Sequence, residues 1–579
     1  MMRKDRSESK RGFTVEVLLY VLSFGLALAL RFFALGRWPL LDGEAGLGLA
    51  AWRFAHSLPA TLRGHSPLLF NVNALSFFLT DGSDGLLRLW GVLTGAFLVL
   101  LPYGLRRWVG KLGAVTTSFL LAISPSFVYF SRIADGSIVV AFCALGLLVA
   151  LVGYLAERHP AYVLVMAALL ALGLLSSPLV YTLLAMAATF PLFLRLRSRW
   201  AKDSTALEEL RQAWRDLLAD SRSWRVALLL AGVLFLMFGV GFFANPSGLQ
   251  MTLDQFGQWF GSLQLLRGTP WYRNLQVLLL YEAMPLLVGA AGFFVTRMRR
   301  DTPALLLRYW VVFTFVFAIL PGYRAPHSVL LVLLPLILAA GQAVESLREE
   351  LAVSGKAPLF WALIALSLAI FAAAYGQLVS YLGLPVSTYL LRIAALFVFL
   401  IAAHAMLWSV YGPTIPARAA IASFTLLLLL ITIRAEVRLN YVRARDPVEP
   451  IVGTTTSPDV LDLVRYAAQW SSQMLGDPRV MDFQIDEKLQ VPLGWYLRSF
   501  PQVSYISRTP PAAEAAALIL PAQAPAPARC VGMRFALHST WAGGKHSLQD
   551  WLRWWVDYRS TLKGQAADEV IFWVRTPQE

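Results

Sequence analysis

Charge is scarce in this chain. Asp, Glu, Lys and Arg supply 15% of its 579 residues and hydrophobic residues 57%, a balance that an average soluble domain, with about 25% charge, does not show. Cysteine occurs twice, at Cys143 in an apolar run and at Cys530 near the C-terminus, which excludes a disulfide framework and a cysteine metal cluster. The seven histidines are scattered, with no His-x-x-x-His and no paired carboxylate-histidine spacing, so no metal site and no cofactor are expected. A Gly-x-x-x-x-Gly-Lys phosphate loop is missing, and no solenoid repeat is visible. The net charge of +15 suggests nucleic acid until it is located. Much of the excess flanks apolar runs, where positive-inside sorting accounts for it, and no nucleic-acid partner is expected.

What the chain has instead is a series of apolar runs of spanning length between residues 14 and 433. The expected fold class is mainly α, a polytopic membrane helical bundle of about thirteen spans with a C-terminal α/β extracytoplasmic domain. Arg3, Lys4, Arg6, Lys10 and Arg11 precede the first run and keep the N-terminus cytoplasmic. Arg106 to Lys111, the arginines between 195 and 225, and Arg297, Arg299 and Arg300 then fall on the same inner side. The membrane domain covers 1–434, with helices along the outer interface near 45–57, 67–80 and 256–272. Residues 435–579 form the outer domain, where strands are expected near 451–454, 480–483, 503–506, 517–520, 533–537 and 570–574, and helices over 457–475 and 547–558.

Ionisable groups recur at the outer ends of these runs. Asp42 and Glu44 follow the first span, and a carboxylate at a membrane exit suits a general base; acids at a helix N-terminus have a structural reading too. Asp135 occupies a second such exit. His65 opens His65-Ser66-Pro67-Leu68-Leu69 and reads either as a phosphate contact or as a helix-start residue before proline. Arg132 and Arg324 suit a phosphate or the lipid headgroups, and Arg88 a phosphate or a contact with Asp84. Glu282, inside an apolar run, is costly there unless it faces a polar cavity or is paired by helix packing. His327 belongs with Glu282 as a cavity candidate. Arg392 and His404 read as packing or headgroup groups, and the tail tryptophans more as core than as sugar-stacking surfaces.

In order along the chain, the acidic loop after the first helix, His65 to Phe70 with Asn73-Ala74, Ser83-Asp84 leading to Arg88-Leu89, and Ala122 to Ser126 leading to Tyr129-Phe130-Ser131-Arg132 carry a resemblance. Leu280-Tyr281-Glu282, Arg324-Ala325-Pro326, Leu334-Pro335-Leu336 with Gly341, and Val491 to Arg498 extend it over nearly the whole length. The chain resembles the GT-C class of integral-membrane glycosyltransferases, in the broad group of protein mannosyltransferases and the lipid A aminoarabinose transferase. Within it the likeness is closer to a bacterial and archaeal subgroup with archaeal members named for an association with flippase activity.

The resemblance implies transfer of a sugar from a polyprenyl-phosphate donor to a glycan, lipid or protein acceptor at the outer membrane face, with inversion and without a metal. It implies Asp42 or Glu44 as base, Asp135 as a second acid, and His65, Arg88, Arg132 and Arg324 around the donor phosphate. The chain departs from the pattern where relatives carry adjacent Asp-Glu and an aspartate near position 137, since Gly43 and Ser137 stand there. A non-catalytic relative supporting glycan assembly or lipid-linked sugar translocation is the alternative.

Overall fold

Apolar helices dominate the computed structural model, which describes residues 13–60, 64–201, 203–263, 270, 272–295, 301–320, 325–351, 357–510, 515–541, 547–556, 562 and 564–575. The basic N-terminal stretch, Arg297, Arg299, Arg300 and Arg324 lie outside these residues.

α1 (Phe13–Phe32) ends at the C-terminal domain, where the Leu40 N–H donates to Tyr496 Oη at 2.7 Å. α2 (Asp42–Ala55) and α3 (Pro67–Leu79) stay on that side and pack on each other. Ser66 caps α3, accepting from the Leu69 N–H, and Pro67 supplies the first turn, as the sequence His65-Ser66-Pro67 dictates. α4 (Asp84–Leu98), extended through α5 (Arg106–Val109), runs to the far side. α6 (Lys111–Ile123) and α7 (Pro125–Ser131) return as one span bent by 57°.

The path continues with α8 (Ser137–Glu157), α9 (Pro160–Leu174), α10 (Leu179–Ala201), the amphipathic α11 (Thr205–Ala219) on the far side, and α12 (Ser221–Gly239). α13 (Gly248–Ser262) overlaps only the start, 256–262, of the interfacial helix expected near 256–272; residues 264–269 and 271 lie outside the described ones. α14 (Arg273–Tyr281) and α15 (Ala283–Val295) form a second broken span, bent by 93°. α16 (Thr302–Ile319), α17 (Val329–Leu351), α18 (Ala357–Gly383), α19 (Ser387–Tyr411) and α20 (Thr414–Val437) complete the bundle.

Ten helices among the described residues are long and apolar enough to cross a membrane, twelve if each bent pair counts as one. At 15 residues α9 is roughly 22 Å long and falls short of that test. The loop before α8 and the start of α10 nevertheless line the same cavity, so α9 runs back alongside α8. The chain is a multi-pass membrane protein, mainly α.

The C-terminal domain holds β1 (Thr455–Thr456), α21 (Asp459–Leu475), β2 (Phe483–Asp486), α22 (Gln490–Tyr496), β3 (Val503–Ile506), β4 (Ala517–Pro521), β5 (Cys530–Thr540), α23 (Leu548–Val556) and β6 (Gln565–Arg575). Its sheet has the order β1-β5-β6-β4-β2-β3, with β2 parallel to β3 and β4 and the other pairs antiparallel. Leu463, Phe483, Ile485, Leu493, Ile519 and Phe572 form its core. The strand expected at 451–454 is instead a turn, because Gly453 takes φ +70° there and the chain passes over Arg273.

Docking of this domain on the bundle is specific. Trp495 Nε1–H donates to Asp84 Oδ1 at 2.8 Å and Tyr496 Oη to Asp84 Oδ2 at 3.1 Å. Arg498 reaches the Gly82 carbonyl while stacking over Trp495. The run Val491 to Arg498 is therefore a plug for the α2–α3–α4 corner, with Trp495 buried against Phe77.

Candidate active site

A cavity of about 660 Å³ lies between the bundle and the chain that leads into the sheet domain. α2 supplies Gly43 and Glu44, the turn before α3 supplies His65, and the loop between α7 and α8 supplies Asp135. Opposite these stand Arg273 at the start of α14, His327 just before α17, and the turn 451–454. Thus His65, Glu44, Asp135 and His327 are brought together, and Arg273 joins them without having been singled out from the sequence.

Glu44 is the hub of this corner. Its Oε1 accepts from Arg88 Nε at 2.8 Å and the Ala134 N–H at 3.1 Å, and its Oε2 from Arg88 Nη2 at 2.8 Å, the Leu41 N–H at 3.0 Å and Arg445 Nη2 at 3.1 Å. Burial alone pushes its carboxyl up, but Arg88 and Arg445 outweigh that and hold it down at about 2. A carboxylate with five donors and two arginine partners has neither the lone pair nor the basicity to take a proton, so the geometry reassigns Glu44 from base to anchor. Arg88 is corrected with it. Its guanidinium is spent on Glu44 and on the carbonyls of Leu35, Trp38 and Pro39, leaving no face for a phosphate.

Asp42 turns the other way. It does not line the cavity; its Oδ1 lies 2.9 Å from His538 Nε2, and His538 Nδ1 lies 3.1 Å from Asp568 Oδ2. Hydrogen bonding to Asp42 raises the His538 pKa against the opposing effect of burial. Arg132 is likewise engaged elsewhere, donating to the carbonyls of Leu30, Arg31, Phe33 and Ala34 that α1 leaves open at its end, and stacking on Tyr441. Glu282 is wholly buried at the break between α14 and α15 and does not line the cavity.

Asp135 is the accessible carboxylate among the described residues that line the cavity. Its Oδ1 accepts from the Ser137 N–H at 2.9 Å and Ser137 Oγ at 2.7 Å, while Oδ2 stands 3.6 Å from His327 Nδ1. The two side chains are 28% and 29% exposed, and that exposure is into the cavity, with protein around it. Burial raises the Asp135 pKa, and His327 acts against the rise. The serine at position 137, where an aspartate was expected, thus orients the displaced acid. The Ala134 N–H bound by Glu44 fixes the backbone one residue before it.

Arg273 donates from Nε to the Pro450 carbonyl at 2.9 Å, and its guanidinium lies over Gly453. Gly453 takes φ +70°, which favours glycine, and a Cβ there would sit 2.6 Å from Arg273 Nη2 and displace the guanidinium from its place over the turn. His65, lining the opposite wall, has its pKa lowered by burial and is a neutral hydrogen-bonding group at pH 7. Among the described residues no group of three or more His, Cys, Asp and Glu is placed to hold a metal ion.

Residues 64–208 match the family model for dolichyl-phosphate-mannose-protein mannosyltransferase. No curated protein matches the chain. Among solved structures, ArnT from Cupriavidus metallidurans bound to undecaprenyl phosphate aligns over 97% of this chain and 99% of its own, at 15% identity and TM-score 0.55. The apo form of the same protein aligns over 84% and 85%, at 16% identity and TM-score 0.52. The chain thus shares the fold of ArnT over nearly its whole length, and residues 64–208 carry the mannosyltransferase family match.

Proposed function

We propose that the protein transfers a sugar from a polyprenyl-phosphate donor to an acceptor hydroxyl of a glycan, lipid or protein, at the outer face of the cell membrane, with the N-terminus cytoplasmic. The observation that carries this reading is one cavity holding an accessible carboxylate, Asp135, together with a cation, Arg273, and a neutral histidine, His65. The undecaprenyl phosphate bound to the structurally similar ArnT supports a lipid-phosphate carrier.

In the proposed reaction the acceptor oxygen attacks the anomeric carbon, the bond from that carbon to the phosphate oxygen breaks, and Asp135 takes the acceptor proton. Arg273, with His65, stabilises the negative charge gathering on the departing lipid phosphate. Attack opposite to the leaving phosphate inverts the anomeric centre. Arg324, which the resemblance places at the phosphate, lies outside the described residues, and its role stands on the sequence alone.

Purified protein given a polyprenyl-phosphate sugar and mixed acceptors is expected to release free carrier. Asp135→Asn should lower that release at least a hundredfold without changing thermal unfolding, and Arg273→Ala should raise the donor KM tenfold or more. Wild-type turnover in Asp135→Asn removes the base assignment. The non-catalytic reading draws on one observation, that Asp42 and Glu44 are both committed to partners and leave Asp135 as the one accessible acid among the described residues lining the cavity; complete absence of carrier release would favour it.

A further inference from the structure

Two spans of the bundle are broken, and the breaks touch. The first lies at Ser124-Pro125 between α6 and α7, the second at Glu282 between α14 and α15. A broken helix inside a membrane frees backbone groups that lipid cannot satisfy. Side chains answer them here. Arg31 donates to the carbonyls of Leu121 and Ala122 at 3.1 and 3.2 Å, and Asn440 Nδ2 donates to the Pro125 carbonyl at 3.2 Å. The freed Ser126 N–H donates to Glu282 Oε1 at 2.8 Å, and the same oxygen accepts from Ser124 Oγ at 2.7 Å.

Glu282 therefore joins one elbow to the other. Each elbow stands beneath one wall of the cavity. α7 has seven residues and ends four positions before Asp135, while α14 has nine and begins at Arg273. At 1.5 Å per residue the bridge lies roughly 10 Å below the end of α7 and roughly 14 Å below Arg273. Shifting α7 along its axis would move Asp135, and swinging α14 would move Arg273. The carboxylate that ties Ser124 and Ser126 to the second elbow opposes both motions.

We propose that Glu282 is a positioning residue that sets the separation between the Asp135 wall and the Arg273 wall. Its consequence for turnover rests on the glycosyltransferase reading; the bridge itself does not. Both hydrogen bonds go to one oxygen, so Glu282→Gln keeps an amide oxygen able to accept them, whereas Glu282→Ala removes the acceptor and Glu282→Asp withdraws it by one methylene.

The test uses full-length protein in detergent and reads three quantities: carrier release, binding of undecaprenyl phosphate, and hydrogen–deuterium exchange of segments 124–135 and 273–282. In Glu282→Ala, kcat should fall at least tenfold, exchange should quicken in both segments, and undecaprenyl phosphate should bind with unchanged stoichiometry and affinity within threefold. Glu282→Asp should resemble it, and Glu282→Gln should stay within twofold of wild type. Wild-type kcat in Glu282→Ala, unchanged exchange in either segment, or Glu282→Gln failing as badly as Glu282→Ala overturns the proposal. If wild type releases no carrier, the glycosyltransferase reading falls separately. Quickened exchange in both segments of Glu282→Ala but not Glu282→Gln then still supports the bridge, and unchanged exchange overturns it.

Discussion

Glu44 shows how far a residue's type underdetermines its chemistry. The Glu44 carboxylate is buried between two arginines, and removing Arg88 strips it of two of its five donors and leaves Arg445 alone to offset its burial. Arg88→Ala is therefore expected to cost roughly 3–5 kcal/mol, read as a fall in the thermal midpoint of detergent-solubilised protein. Because the Glu44 pKa is depressed to about 2, its contribution to stability is complete above the ordinary carboxylate range and is lost as pH falls through about 2. Asp135 behaves oppositely. Burial raises its pKa, so the deprotonated base should be lost on acidification at a pH above that of an ordinary aspartate. A pH profile of kcat/KM whose acidic limb vanishes in Asp135→Asn, leaving only residual turnover, would bear this out; an unchanged limb would place the base elsewhere.

Among the elements, α1, α6 and α7 cap one another. Arg31 near the end of α1 serves the carbonyls opened by the α6 break, and Arg132 just after α7 serves the carbonyls at the end of α1. The sequence reading saw Arg132 at the outer end of a span and assigned it to phosphate or headgroup, because nothing in a linear pattern reveals which carbonyls a kink exposes. Arg132→Ala should consequently lower the thermal midpoint and leave the donor KM within twofold, whereas a phosphate ligand would raise KM. Arg273 stands at the same kind of place, the end of an apolar run. Only the fold of the 451–454 turn over it distinguishes it from Arg132.

At the scale of the whole molecule, the sheet domain is fastened to the bundle at two places, at Asp84 by Trp495 and Tyr496, and at Asp42 by His538. His538 faces Asp42 from α2 and Asp568 from β6. Its folded pKa is raised, so protonation strengthens the link below about 6.5, and that gain is lost as pH rises through the folded value. Limited proteolysis of the domain should therefore quicken from pH 6 to pH 8 in wild type and lose that dependence in His538→Ala. Equal pH dependence in both would detach His538 from docking.

Composition and hydropathy alone established a polytopic helical membrane chain with a mixed α/β domain at its C-terminal end, since burial in lipid demands long apolar helices whatever their packing. The order of short motifs also carried the resemblance to the GT-C class. Residue type and position at the span ends brought out His65, Asp135 and His327, all of which the fold places on the cavity. The tertiary structure alone decided which ionisable groups are already satisfied: Glu44 with Arg88 and Arg445, Arg132 with the end of α1, Glu282 with the α6–α7 break. Those partners lie 44 to 401 residues away along the chain. Charge neutralisation depends on distances of about 3 Å that no local pattern encodes.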